Sequence, residues 1–81
     1  MLNAIADPNR VKVLRILADK RICVIDLAQE LGISHNLLSF HLKKLVKAGI
    51  LNKERSGNCY YYFITKHWEE RINHLLKFLN I

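Results

Sequence analysis

Asn36, Phe40, Lys43 and Lys47 are spaced four, three and four residues apart, the interval that places side chains on one face of a helix. An amide, an aromatic ring and two ammonium groups make no nucleophile or acid–base pair. They do match the edges of a DNA major groove. Asn36 can pair with adenine through two hydrogen bonds, and Lys43 and Lys47 can reach guanine or phosphate oxygens. Ser34, His35, Ser39 and Lys44 flank this stripe. Phe40 is odd on a solvated face; a thymine methyl group or the neighbouring hairpin would each give it a surface to pack on.

A second cluster follows. Lys53, Arg55 and Asn58 lie at or near the tip of a predicted hairpin, where they could reach phosphates or the minor groove. Residues 34–58 hold Lys43, Lys44, Lys47, Lys53 and Arg55 against Glu54 alone. That stretch therefore carries +4 of the chain's +6, a concentration expected of a nucleic-acid footprint. The first 33 residues are close to neutral.

The remaining chemistry-bearing residues are sparse. His67, Glu70 and His74 fall at i, i+3 and i+7, and two imidazoles with a carboxylate are zinc-type ligands. A solvated helix face is the commoner reason for such a trio, so no metal site and no cofactor are assigned. Cys23 and Cys59 are too few for a disulfide scaffold, and both are expected to be free thiols. Both lie in or near predicted strands, which would let them meet, but nothing in the sequence pairs them. No Ser/His/Asp or Cys/His arrangement, glycine-rich phosphate loop or carboxylate pair stands out, which argues against an enzyme.

The elements that position these residues are legible from periodicity and punctuation. Asp7-Pro8 opens a helix expected to run to Asp19, with Val11, Leu14, Leu17 and Ala18 at helical spacing. Ile22-Cys23-Val24 is a short edge strand. Ile25 to Leu31 is a short helix that Gly32 ends. Ile33 plugs the turn, and Ser34 caps a longer helix to about Ala48 with Leu38, Leu42 and Leu45 inward. Ile50–Glu54 and Cys59–Thr65 are strands around an Arg55-Ser56-Gly57-Asn58 turn. Thr65 is placed to cap a last helix over 66–80. The expected architecture is mainly α with a small β-hairpin wing: a winged helix-turn-helix in the order α-β-α-α-β-β-α, in a single domain over 1–81.

Three segments carry a family resemblance. Ala4-Ile5-Ala6-Asp7-Pro8-Asn9-Arg10 resembles the ALADPTR opening of the ArsR/SmtB repressors. Ser34 through Leu51 is similar to their S-x-x-x-x-S-x-H-L-x-x-L-x-x-A-G-L-V segment, His41 included, although here His41 falls between the core and groove stripes. Lys53-Glu54-Arg55-Ser56-Gly57 followed by Tyr60-Tyr61-Tyr62 resembles their wing. The resemblance covers nearly the whole chain. It implies a homodimeric repressor that binds an imperfect inverted repeat in double-stranded DNA and, in many members, releases it on a metal or redox signal.

The effector positions depart from that pattern. The arsenic-sensing run Cys-Val-Cys-Asp-Leu reads Cys23-Val24-Ile25-Asp26-Leu27 here, so one thiolate is replaced by Ile25. The four zinc positions of the last helix correspond to Thr65, His67, Phe78 and Ile81, and only His67 can ligate. The inducer is unknown. The chain begins close to the family's opening segment, which leaves more of the dimer contact to the last helix. Trp68, Ile72, Leu75, Leu76 and Leu79 are the expected interface, with Phe78 and Ile81 also apolar. No apolar run is long enough to span a membrane, and the N-terminus lacks a signal-peptide pattern; a cytoplasmic location follows as the expectation. A non-specific architectural DNA protein and a winged-helix protein-interaction module are the alternatives. Asn36, Ser39 and Phe40 speak against the first, and the concentrated charge against the second.

Overall fold

Helix α1, Pro8–Asp19, starts where two signals coincide. The Asp7 side chain accepts a hydrogen bond from the Asn9 N–H at 2.8 Å, and Pro8 occupies the first turn, where its missing N–H costs nothing. The computed structural model describes residues 7–79, Leu79 by its backbone alone. Ala4, Ile5, Ala6 and the Leu79 side chain lie outside the described residues. The other elements are β1 (Ile22–Cys23), α2 (Val24–Leu31), α3 (His35–Lys47), β2 (Leu51–Ser56), β3 (Cys59–Ile64) and α4 (Lys66–Leu79).

Val13, Leu14 and Leu17 of α1 meet Leu27 of α2, Leu38, Leu42 and Leu45 of α3, and Ile50, Leu51 and Ile64 around the hairpin. Each fully buried aliphatic side chain stabilises by roughly 1.5–3 kcal/mol relative to exposure. The α2–α3 turn is set by Gly32, whose φ of 68° is a left-handed conformation that glycine adopts without Cβ strain. Ser34 then caps α3, its hydroxyl accepting the Leu37 N–H at 3.1 Å.

The three strands form one antiparallel sheet in the order β1-β3-β2. The hairpin is tighter than its sequence suggests. Strand β2 begins at Leu51 and continues through Arg55 and Ser56, which pair with Tyr60 and Cys59. Only Gly57 and Asn58 remain in the turn, and Gly57, at φ 62°, supplies the left-handed residue. Ile50 stays out of the strand, its N–H bonded to the Leu45 carbonyl.

Two expectations need correction. Thr65 does not cap α4 through its side chain: its hydroxyl donates to the Gly49 carbonyl at 2.9 Å, clamping the end of β3 to the α3–β2 turn. Cys23 and Cys59 are not free thiols but are joined as a disulfide, with Cα atoms 6.1 Å apart, a span that suits the bond. The β1–β3 register explains the pairing. Cys23 stands opposite Tyr61, so Cys59, two residues along β3, is its diagonal neighbour on the same face. Among the described residues, no helix is long and apolar enough to cross a membrane.

Candidate nucleic-acid interface

Helix α3 sorts its side chains as its spacing dictates. Leu38, His41, Leu42 and Leu45 are buried. His35, Asn36, Phe40, Lys43, Lys44 and Lys47 are exposed, and Ser39 is half-buried beside them. Lys44 and Lys47 fall in the last turn, where cations complement the helix dipole. Ser34 is exposed, but its hydroxyl is engaged in the cap.

The wing brings its cations to the same side. Lys53 pairs with Tyr62 and Arg55 with Tyr60, so these four side chains share one face of the hairpin. Lys53 Nζ lies 4.9 Å from the centre of the Tyr60 ring and the Arg55 guanidinium 5.9 Å from it. Arg55 Nε donates to the Gly57 carbonyl at 3.3 Å, which folds the guanidinium back over the turn. Asn58 sits exposed in that turn. Between wing and helix is a cleft of about 280 Å³ lined by Lys43, Val46, Lys47, Lys53 and Tyr62. Three ammonium groups around one opening, with a phenol at its side, suit a polyanionic strand.

Phe40 is 51 % exposed. It turns towards α1, with the Arg10 guanidinium 5.9 Å and the Lys44 ammonium 5.3 Å from its ring centre. Its neighbour His41 meets it edge-on at 5.5 Å. His41 is only 3 % exposed, and its Nδ1 accepts a hydrogen bond from Arg10 Nε at 3.1 Å. The histidine therefore fastens the helix rather than touching a groove.

The model of the bacterial regulatory protein arsR family matches residues 7–53, more than half of the chain. This chain belongs to the arsR family. Similar relatives of this arsR-family protein include the transcriptional repressor SdpR of Bacillus subtilis, 33 % identical over 99 % of this chain and 90 % of that one. The arsenical resistance operon repressor of Staphylococcus xylosus is 29 % identical over 99 % and 77 % respectively. Among solved structures, HlyU from Vibrio cholerae superposes with a TM-score of 0.86 at 27 % identity, covering 95 % of this chain and 85 % of that one. The homodimeric winged helix-turn-helix DNA-binding domain of Mb0332 from Mycobacterium bovis gives 0.84 at 26 %, covering 96 % and 72 %. The winged helix-turn-helix architecture expected from the sequence is the one these neighbours share.

The last helix of this arsR-family protein divides the apolar stripe assigned to dimerisation. Trp68, 8 % exposed, and Ile72, 1 % exposed, belong to the protomer's own core. They are corrected here from interface residues to core residues. Leu75 and Leu76 are half-buried, and Phe78 is 82 % exposed. Arg71, His74, Leu75 and Phe78 border a shallow depression of about 400 Å³.

The residual zinc candidate is not assembled. His67, Glu70 and His74 are all exposed. Seven residues of helix separate the two histidines by about 10 Å along the axis, too far for one ion without a turn of chain folding over it. Among the described residues, no three His, Cys, Asp or Glu side chains form a metal-binding group.

Arg10, Tyr60 and Tyr62 were not among the residues that the sequence singled out for the site. The two tyrosines were discoverable: once the hairpin register is fixed, they share parity with Lys53 and Arg55. Arg10 had no such local signal, because its partner His41 is 31 residues away.

Proposed function

We propose that this chain is a transcriptional regulator that binds double-stranded DNA sequence-specifically, acting as a homodimeric repressor on an inverted-repeat operator. The observation that carries the reading is the cleft where Lys43 and Lys47 of α3 face Lys53 of the wing. A phosphate strand held there keeps α3 in the major groove, where Asn36 and Ser39 read base edges. The names of the relatives support a repressor, and the homodimeric Mb0332 domain supports the two-fold assembly. Leu75, Leu76 and Phe78 of α4 are the apolar surface that a second copy would cover. The family supports a DNA-binding regulator rather than an enzyme, and a cytoplasmic location accords with that role.

The test is selection of bound duplexes from a random DNA library at near-physiological salt. Recovery of an inverted repeat with half-sites about one turn apart, near 34 Å, is the expected result. Salt-sensitive binding without a motif would replace this reading with an architectural protein, and absence of binding would replace it with a protein-interaction module.

A further inference from the structure

The wing tip extends past the support of the sheet. Strand β1 is two residues long, and its pairing with β3 covers Tyr62 and Tyr61 only. Beyond Tyr61, the tip consists of Arg55, Ser56, Gly57, Asn58, Cys59 and Tyr60, held as a two-stranded ribbon. Such a ribbon is marginally stable in water by itself. The cations that the site needs from the wing lie in or next to this ribbon.

One covalent link reaches beyond the end of β1–β3 pairing. Cys59 is opposite Ser56, in the last pair before the turn, and its sulfur is bonded to that of Cys23. Cys23 ends β1 and immediately precedes α2 at its N-cap position. The bond therefore ties the wing tip to the first helix of the helix-turn-helix, on the sheet face opposite Lys53 and Arg55. Cys59 is half-buried and Cys23 is 9 % exposed, so the outer sulfur is the one a small oxidant meets first.

We propose that Cys23 and Cys59 form a reversible dithiol–disulfide switch that sets the order of the wing, and that the oxidised chain is the tight DNA-binding form. The oxidant is a peroxide. The Cys59 thiolate attacks one peroxide oxygen, forming an S–O bond as the O–O bond breaks and one water leaves after protonation. The Cys23 thiolate then attacks that sulfur, the S–S bond forms, and the hydroxyl departs as a second water. Two thiols and one hydrogen peroxide become one disulfide and two waters. A dithiol reductant reverses the reaction by exchange and is itself oxidised to a disulfide. In the oxidised chain the tip is ordered before DNA arrives; in the reduced chain binding must order it, which costs affinity.

The affinity half of the proposal rests on the DNA-binding reading, so the test has two readouts on the full chain, reduced with a phosphine or oxidised with hydrogen peroxide. Mass spectrometry verifies loss of two hydrogens in an intramolecular bond. The first readout needs no DNA: amide exchange at Asn58, Cys59 and Tyr60 should slow on oxidation, and do so in neither C23S nor C59S. The second is affinity for the duplex recovered by selection, expected to fall about tenfold on reduction. C23S and C59S should bind at the reduced level under both conditions. Equal exchange in both states, a redox response that survives in C23S, or equal affinity in both states overturns the switch. Slower exchange on oxidation, with no duplex bound in either state, instead overturns the DNA-binding reading.

Discussion

His41 Nδ1 accepts a hydrogen bond from Arg10 Nε across 3.1 Å, joining α3 to α1 inside the protein. With Nδ1 accepting, Nε2 is the ring nitrogen left to donate. That atom lies 4.0 Å from Asp7 Oδ1, the carboxylate that caps α1. Replacing His41 by Ala removes the acceptor and leaves a cavity beside Phe40. Chemical denaturation should show a loss of about 2 kcal/mol, and specific DNA binding should fall further than non-specific binding as α3 loses its seat.

The three cleft lysines should behave as phosphate contacts. Lys43→Ala, Lys47→Ala and Lys53→Ala are each expected to weaken binding to every duplex alike. The slope of log affinity against log salt should drop by about one for each. A salt titration of the three variants checks this, and an unchanged slope would remove the residue concerned from the cleft's role.

Asn36 and Ser39 carry no charge and should act on selection instead. Asn36→Ala is expected to lower discrimination at one base pair by about 1–3 kcal/mol, with the salt slope preserved. Repeating duplex selection with the variants reads this directly. A motif identical to that of the unaltered chain would discard the proposed readout face.

Tyr60 supports the wing cations rather than adding one. Its ring lies near both Lys53 and Arg55, and an exposed cation–π contact contributes about 0.5–1 kcal/mol. Tyr60→Ala should therefore weaken binding about two- to fivefold at constant salt slope, whereas Arg55→Ala should reduce the slope as well. Parallel titrations of the two variants separate these roles.

The last helix offers a contrast between neighbours. Phe78→Glu places a charge on an exposed apolar position; it should shift sedimentation towards monomer while leaving the protomer folded. Ile72→Ala hollows the protomer core and should cost about 2–5 kcal/mol of folding stability. If Phe78→Glu sediments as the parent does, the two-fold contact lies elsewhere.

Much of the fold and of the basic face was legible because both rest on short-range order. The Leu38, Leu42 and Leu45 stripe fixes which side of α3 faces inward, and Gly32 and Ser34 mark its start. Features that depend on distant partners were not legible. Thr65 looks like a helix cap until Gly49 is found beside its hydroxyl. Phe40 gains a cation from α1, Arg10, that no local spacing announces. Trp68 and Ile72 share a period with Leu75, and periodicity alone does not tell a protomer's core from a two-fold interface. The cysteine pair depends on a strand register set by residues 36 apart.

That same bond has a topological consequence. By closing residue 23 onto residue 59, it turns α2, α3 and β2 into a covalent ring, with α1 and α4 as tails on either side. Helix α3 lies wholly inside the ring. A single protease cut anywhere from residue 24 to 58 would leave both pieces attached, and the oxidised chain would unfold into a lariat-like ensemble rather than a free coil. Loop-closure entropy for a ring of this size favours the folded state by roughly 4 kcal/mol. Oxidation would thus guard the helix-turn-helix segment from dispersal even when the surrounding packing is lost.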